Sequence, residues 1–119
     1  MMNQLKVFQN AEFGSVRTVV VGKIPYFVGK DIATILGYSN PPKAIRDHVD
    51  EEDKTVNDSF IVNGTKGTLI NESGLYSLIL SSKMPQAKSF KRWVTSEILP
   101  FIRQYGVYVD RLHLTRQKN

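Results

Sequence analysis

Two groups of polar and basic side chains have the chemistry to contact a polyanion. The first is the basic set Lys83, Lys88, Lys91 and Arg92, and helical spacing places the last three on one flank of a predicted helix. Ammonium and guanidinium groups in such a row can bind successive phosphates of a nucleic-acid backbone. The alternative is a solvated helix surface that contacts no partner.

The second group is Ser39, Asn40, Lys43 and Arg46, at the junction of two predicted short helices. Side chains of these types hydrogen-bond to base edges when a helix presents them in the DNA major groove. They are therefore candidates for base recognition, whereas the first group would bind phosphates. Lys43 and Arg46 could equally be solvated charges on a plain helical hairpin.

Enzymatic chemistry finds little support in the sequence. The histidines, His48 and His113, are far apart, and Asp47 adjoins His48 on a predicted helix, so those two side chains diverge. Residues 64–67 are too short for a phosphate-binding loop. We expect a protein that is not an enzyme and holds no cofactor or metal, with His48 packed against neighbours or capping a helix.

The segment from Phe27 to Val49 must position the second group, and it predicts two short helices joined by a tight turn. Ala33 and Gly37 are four residues apart, as in a helix-turn-helix, where a small residue permits close helix approach and glycine permits a sharp turn. The apolar positions after Gly37 come later than a tight turn would place them. A helical hairpin packed on a sheet is therefore the alternative.

The remaining pattern predicts an α+β fold, with two β-hairpins packed against about five short helices and a helix-turn-helix-like first helical pair. Alternation indicates strands at 4–9, 16–21, 24–28, 55–62 and 68–70, with turns at Gly22-Lys23 and Asn63-Gly64. Asn71 can cap a helix over 72–81, Pro85 can begin the next helix, and Pro100 can kink that helix or begin a third one that ends near Gly106. The predicted core is formed by Ile32, Leu36, Ile45, Leu75, Leu78, Ile79, Phe90, Val94 and Ile98.

Composition and charge narrow the class of protein. The 119 residues suit one domain, and the absence of cysteine excludes a disulfide framework and suits a reducing cytosol. No apolar stretch approaches the length of a membrane span, so we expect no membrane association. Residues 1–82 hold eight Lys/Arg against nine Asp/Glu, a net charge of −1, and residues 83–119 hold eight against two, a net charge of +6. This asymmetry favours a polyanionic partner, the alternative being a basic tail that leads into a further domain.

Three segments together resemble the Bro-N domain, the N-terminal module of baculovirus repeated ORF proteins and of many prophage antirepressors. Two are dense matches: PYFVGKDIATILGYSNPPKAIRDHVDEEDK at 25–54 and TLINESGLYSLILSSKMPQAKSFKRWVTSEILPFIRQYGVY at 68–108. The third, LKVFQNAEFGSVRTVVVGK, resembles the family's opening hairpin. Tyr26 replaces a common tryptophan and Tyr105 a small polar residue, and neither change affects the core of the pattern.

The resemblance implies DNA binding for viral members and antirepressor activity for prophage members. We therefore expect a phage or prophage regulatory module in the bacterial host cytoplasm, which binds double-stranded DNA through a basic helical face as a homodimer. The alternative is an antirepressor that sequesters a phage repressor protein, for which the acidic loop Asp50–Asp53 could complement a basic surface. Residues 1–108 would form the Bro-N-like domain, and 109–119 a basic tail or the start of a linker to a missing C-terminal domain.

Overall fold

The computed structural model describes residues 4–62 and 65–104, which form one antiparallel sheet and four α-helices. The strands are β1 Gln4–Asn10, β2 Gly14–Val21, β3 Ile24–Val28, β4 Lys54–Val62 and β5 Thr65–Ile70, and the helices are α1 Gly29–Ile35, α2 Pro41–His48, α3 Glu72–Ser81 and α4 Ala87–Trp93. The predicted α+β class is confirmed. The Asn63-Gly64 turn, the helix end near Gly106 and the division at residue 108 lie outside the described residues.

The two predicted hairpins belong to a single sheet of order β1-β2-β3-β5-β4. The hairpins are joined by antiparallel pairing of β3 with β5, in which Phe27 pairs with Ile70 and Val28 with Leu69. Gly22 has a φ of +65° at the β2–β3 turn, a conformation that glycine adopts without strain. Pro25 pairs with Val20 of β2, whereas only Phe27 and Val28 of β3 pair with β5. The missing N–H of Pro25 therefore leaves no gap in the ladder between β3 and β5.

The prediction of about five helices is wrong by one, because Pro100 does not begin a new helix. Helical turns continue from Ala87 to residue 104 through a π-helical segment, Val94–Ile98, in which the Leu99 N–H donates to the Val94 carbonyl. Pro100 offers no N–H to the Ser96 carbonyl one turn earlier, and the wider π turn relieves the crowding by its ring. The predicted start at Pro85 is also too early, since Pro85 lies in the preceding turn.

The core lies where α1–α4 and the π-helical segment pack against one face of the sheet, and all nine predicted core residues belong to this one cluster. α3 occupies its centre and contacts α1, α2 and α4. Gly74 explains the close packing, since a Cβ there would lie 3.0 Å from Val49 Cγ1 and 3.1 Å from Ile70 Cβ. Asn71 caps α3 as predicted, because its Oδ1 accepts the Gly74 N–H at 2.9 Å.

Candidate nucleic-acid interface

The exposed side of α4 carries Lys88, Lys91 and Arg92. Phe90 and Trp93 on the opposite side are buried in the core, as their periodicity predicts. Phe13 packs against both rings, with centroid distances of 5.4 Å to Phe90 and 5.8 Å to Trp93. These aromatic contacts fix the rotation of α4 about its axis and thereby point the three cations toward solvent.

The charges on this side of α4 are not neutralised by ion pairs within the described residues. Elsewhere the cations do find carboxylates: Arg17 pairs with Asp31, Lys54 with Glu51, and Arg103 with Glu72. Glu97 is the one acidic residue between 87 and 104, and no described cation pairs with it. We define the basic face as Lys83, Lys88, Lys91 and Arg92, all of them exposed.

Two side chains complete the backbone hydrogen bonding of this helix where it widens. Thr95 Oγ1 donates to the Lys91 carbonyl at 2.9 Å, and Ser96 Oγ donates to the Arg92 carbonyl at 2.5 Å. These two hydroxyl groups therefore satisfy the backbone carbonyl oxygens of Lys91 and Arg92. The side chains of Lys91 and Arg92 are exposed and form no ion pair among the described residues.

The turn between α1 and α2 is a Schellman motif centred on Gly37. Its φ is +85°, the Gly37 N–H donates to the Thr34 carbonyl at 3.1 Å, and the Tyr38 N–H donates to the Ala33 carbonyl at 3.0 Å. This geometry accounts for the four-residue spacing of Ala33 and Gly37. The chain leaves α1 sharply, which exposes Ser39 and Asn40 at the tip of the turn.

The loop that precedes α4 packs against this turn. The Met84 side chain lies against Gly37, and Ser82 Oγ donates to the Leu36 carbonyl at 2.8 Å. Lys83 lies between these two contact residues in the chain. The structure thus brings the basic face and the α1–α2 turn together at Lys83.

Tyr38 also ties the turn to the end of α3, because its hydroxyl donates to the Leu78 carbonyl at 2.8 Å. Burial raises the pKa of the Tyr38 phenol, an effect that a hydrogen bond with Ser81 partly offsets. Nothing in the spacing of the sequence signals these contacts between the two turns, since the residues involved are about 40 positions apart.

The second predicted group lies on or beside α2, and two of its members have intramolecular partners. Asn40 caps α2 by accepting the Lys43 N–H at 3.2 Å, so its side-chain oxygen is engaged. Lys43 Nζ lies 2.7 Å from Asp47 Oδ2, an i,i+4 pair that the sequence spacing could have predicted. Arg46 is exposed and makes no hydrogen bond or ion pair among the described residues.

The part of the chain that the structure describes shows no cluster of metal-binding side chains. Groups of three His, Cys, Asp or Glu side chains close enough to hold a metal are absent there. His48 lies at the end of α2 and packs against the Tyr38 ring, with centroids 5.6 Å apart, although its side chain remains exposed. The last turn of α2 needs no buried side chain at this position because Val49 fills the core beneath it.

The protein is thus an α+β domain with a pair of short helices and an exposed basic helix. The profile of the BRO family N-terminal domain matches residues 15–100, so the chain belongs to the Bro-N family. The match includes α1–α4 and the whole basic face. No solved structure matches the chain significantly.

Relatives occur in several viruses and in a bacterium. A Bro-N domain-containing protein of Invertebrate iridescent virus 6 is 41% identical over 103 residues, which cover 71% of this chain and 25% of the relative. An uncharacterized protein of Haemophilus influenzae is 40% identical over 84 residues, covering 70% of this chain and 42% of the relative. The chain thus spans about a quarter to two fifths of these relatives. No helix of the described residues is long and apolar enough to cross a membrane.

Proposed function

We propose that this chain is a regulatory module of the antirepressor type that binds double-stranded DNA through the basic face. The observation that carries the proposal is a helix whose aromatic side is locked into the core while its cations remain exposed and without ion pairs in the described residues. A protein gains little stability from such a charge row, because like charges one turn apart repel each other. A polyanionic ligand would offset that repulsion.

Counterion release supplies the binding free energy in this mode. Each phosphate that a lysine or arginine neutralises frees condensed cations from the duplex, and affinity then falls steeply as salt rises. Lys88, Lys91 and Arg92 could contribute three such contacts from one helix, with Lys83 adding a fourth from the preceding loop. The α1–α2 turn beside Lys83 would meet the same duplex and place Ser39, Asn40, Lys43 and Arg46 near the bases.

A salt titration on random-sequence duplex DNA tests this proposal. Replacing Lys88, Lys91 and Arg92 by alanine should flatten the slope of log affinity against log salt by roughly 2.7, at about 0.9 for each contact. A matched variant removes the same charge from Lys6, Lys23 and Lys30, which lie on β1, the β2–β3 turn and α1. Equal slopes for the two triple variants would refute binding through α4.

The regulatory role follows from competition for DNA. A module that occupies an operator displaces whatever repressor holds it, which is one route to antirepression. We propose that it acts as a homodimer, since operators are commonly two-fold symmetric and a dimer doubles the number of phosphate contacts. Sedimentation of the full chain with and without a duplex would measure the stoichiometry, and a single copy on every duplex would exclude the dimer.

A protein-binding antirepressor is the second candidate, and exposed acids after α2 favour it. Asp50, Glu51 and Glu52 are solvent-exposed, whereas Asp53 is half-buried and accepts a hydrogen bond from Asn71 Nδ2 at 3.2 Å. Three exposed carboxylates could complement a basic repressor surface. Neutralising the three as amides would abolish repressor binding in this case and would raise DNA affinity in the first.

A further inference from the structure

Asp47 is an acid placed among cations on the very helix proposed to approach the bases. Lys43 precedes it by one turn, with a separation of 2.7 Å between Nζ and Oδ2, and Arg46 and His48 flank it in the chain. Both members of the pair are exposed, with 62% of the Lys43 side chain and 47% of the Asp47 side chain accessible. The Lys43 hydrogen bond is the main cause that lowers the pKa of Asp47, and the charges of Lys43, His48 and Arg46 contribute in the same direction.

An exposed i,i+4 pair adds little to protein stability, because water screens both charges and the side chains lose conformational freedom. Its effect on a polyanion is larger. Asp47 offsets part of the positive charge that Lys43 presents to the phosphates, and the carboxylate itself repels them. Without Asp47, both Lys43 and Arg46 would be available to the phosphates of any duplex, whatever its base sequence.

We propose that Asp47 is a specificity-determining residue that withholds Lys43 from the DNA backbone and so suppresses sequence-independent binding by α2. Negative elements of this kind raise specificity by weakening the wrong complex rather than by strengthening the right one. The inference rests on the proposed function and names the regulation of that same surface. The α4 cations would then supply general affinity, while α2 would add binding free energy only where the base sequence fits.

The test is a double-mutant cycle on random-sequence duplex. Asp47→Asn should raise affinity about 3- to 10-fold at 0.1 M salt and steepen the log–log salt slope by about 0.9, as expected for one added phosphate contact. In a Lys43→Gln background the same Asp47→Asn change should give less than half of that gain. Thermal unfolding of each variant checks that the fold is retained.

Glu52→Gln is the matched control, because Glu52 is exposed, carries the same charge and makes no ion pair among the described residues. If Asp47→Asn and Glu52→Gln raise affinity equally, only net charge matters and the inference is overturned. It is also overturned if the gain persists undiminished without Lys43. Absence of DNA binding by the parent chain would instead refute the proposed function itself.

Discussion

Met84 lies against Gly37, and this contact joins the α1–α2 turn, with Ser39 and Asn40, to the loop before α4, with Lys83. A Cβ added to Gly37 would overlap Met84 Cγ and lie 2.7 Å from its sulfur, in a backbone conformation with φ +85°. Glycine is therefore favoured by the backbone conformation, and an added Cβ would also force the Met84 side chain to move. Lys83 owes its place beside the α1–α2 turn to this contact and to the Ser82 hydrogen bond.

Gly37→Ala should therefore destabilise the domain more than the backbone conformation alone would cause. Gly14 is the matched control, since its φ is +88° and an added Cβ would meet nothing within 4 Å. We expect about 1–2 kcal/mol for Gly14→Ala from the left-handed conformation, and about 1–3 kcal/mol more for Gly37→Ala from overpacking. Urea unfolding measures both changes, and equal losses would show that Met84 moves aside freely.

The ion pair between Arg17 and Asp31 should stabilise the attachment of α1 to β2. Arg17 Nη2 lies 2.7 Å from Asp31 Oδ1 and Arg17 Nε lies 2.9 Å from Oδ2, which also accepts the Arg17 backbone N–H. A double-mutant cycle with alanine should give a coupling free energy of about 1–2 kcal/mol for this bidentate, partly buried pair. The exposed Lys43–Asp47 pair, treated in the same way, should give far less. A similar coupling for both pairs would contradict the role assigned to burial.

Ionisation of Tyr38 should lower the free energy of unfolding at alkaline pH. Burial raises the pKa of its phenol in the folded state, so the folded chain holds this proton more tightly than the unfolded chain does. The stabilisation is fully present below the ordinary tyrosine value of about 10 and is lost as pH rises through the folded-state pKa. Tyr38→Phe should cost about 1 kcal/mol at pH 7, through loss of the hydrogen bond to the Leu78 carbonyl.

The difference in unfolding free energy between wild type and Tyr38→Phe should therefore shrink at high pH. Tyr76 also has a pKa raised by burial, but it is present in both proteins and cancels in the comparison. Urea unfolding from pH 7 to above the ordinary tyrosine pKa of about 10 measures the difference. A constant difference would mean that the Tyr38 phenol does not titrate with folding.

Phe90 should be a major contributor to the stability of the core. It is fully buried between Phe13 and Trp93, with ring centroids 5.4 Å and 6.0 Å away. Phe90→Ala should cost about 3–5 kcal/mol in denaturant unfolding. Phe101→Ala removes the same atoms from a ring that is 45% exposed and should cost clearly less. A loss below about 1 kcal/mol for Phe90 would be incompatible with its burial.

Local rules in the sequence predicted the hairpins, the Asn71 cap and the core, because alternation, capping and helical periodicity each act over a few residues. They failed where distant packing decides. The helix continues past Pro100 because Ile98 and Ile102, on either side of it, are both buried in the core, and the π turn accommodates the proline between them. The pairing of β3 with β5 and the contact of Met84 with Gly37 likewise depend on residues far apart in the chain.

All eight predicted interface residues are exposed, as their polarity implies. Sequence reasoning did not establish which of these side chains have intramolecular partners. Helical spacing could have paired Lys43 with Asp47, and the Asn40 cap follows from its position before Pro41. Arg46 lines one cleft with Glu51 but forms no ion pair with it, because Glu51 pairs with Lys54. Which of the two cations Glu51 contacts depends on how the chain leaves α2, which no local pattern specifies.

Base recognition by α2 gives the last prediction, and Arg46 is its best candidate. Lys43 is held by Asp47 and the Asn40 oxygen caps the helix, whereas Arg46 makes no ion pair among the described residues and lies one turn into α2. A bidentate guanidinium contact to guanine discriminates between bases, while a phosphate contact does not. With a duplex selected from a random pool, Arg46→Ala should lose about 1–3 kcal/mol on the preferred site and much less on random sequence. Lys30→Ala, a change of the same charge on α1, should leave that preference intact. Uniform weakening on both duplexes would assign Arg46 to the backbone, and no change on either would place α2 outside the interface.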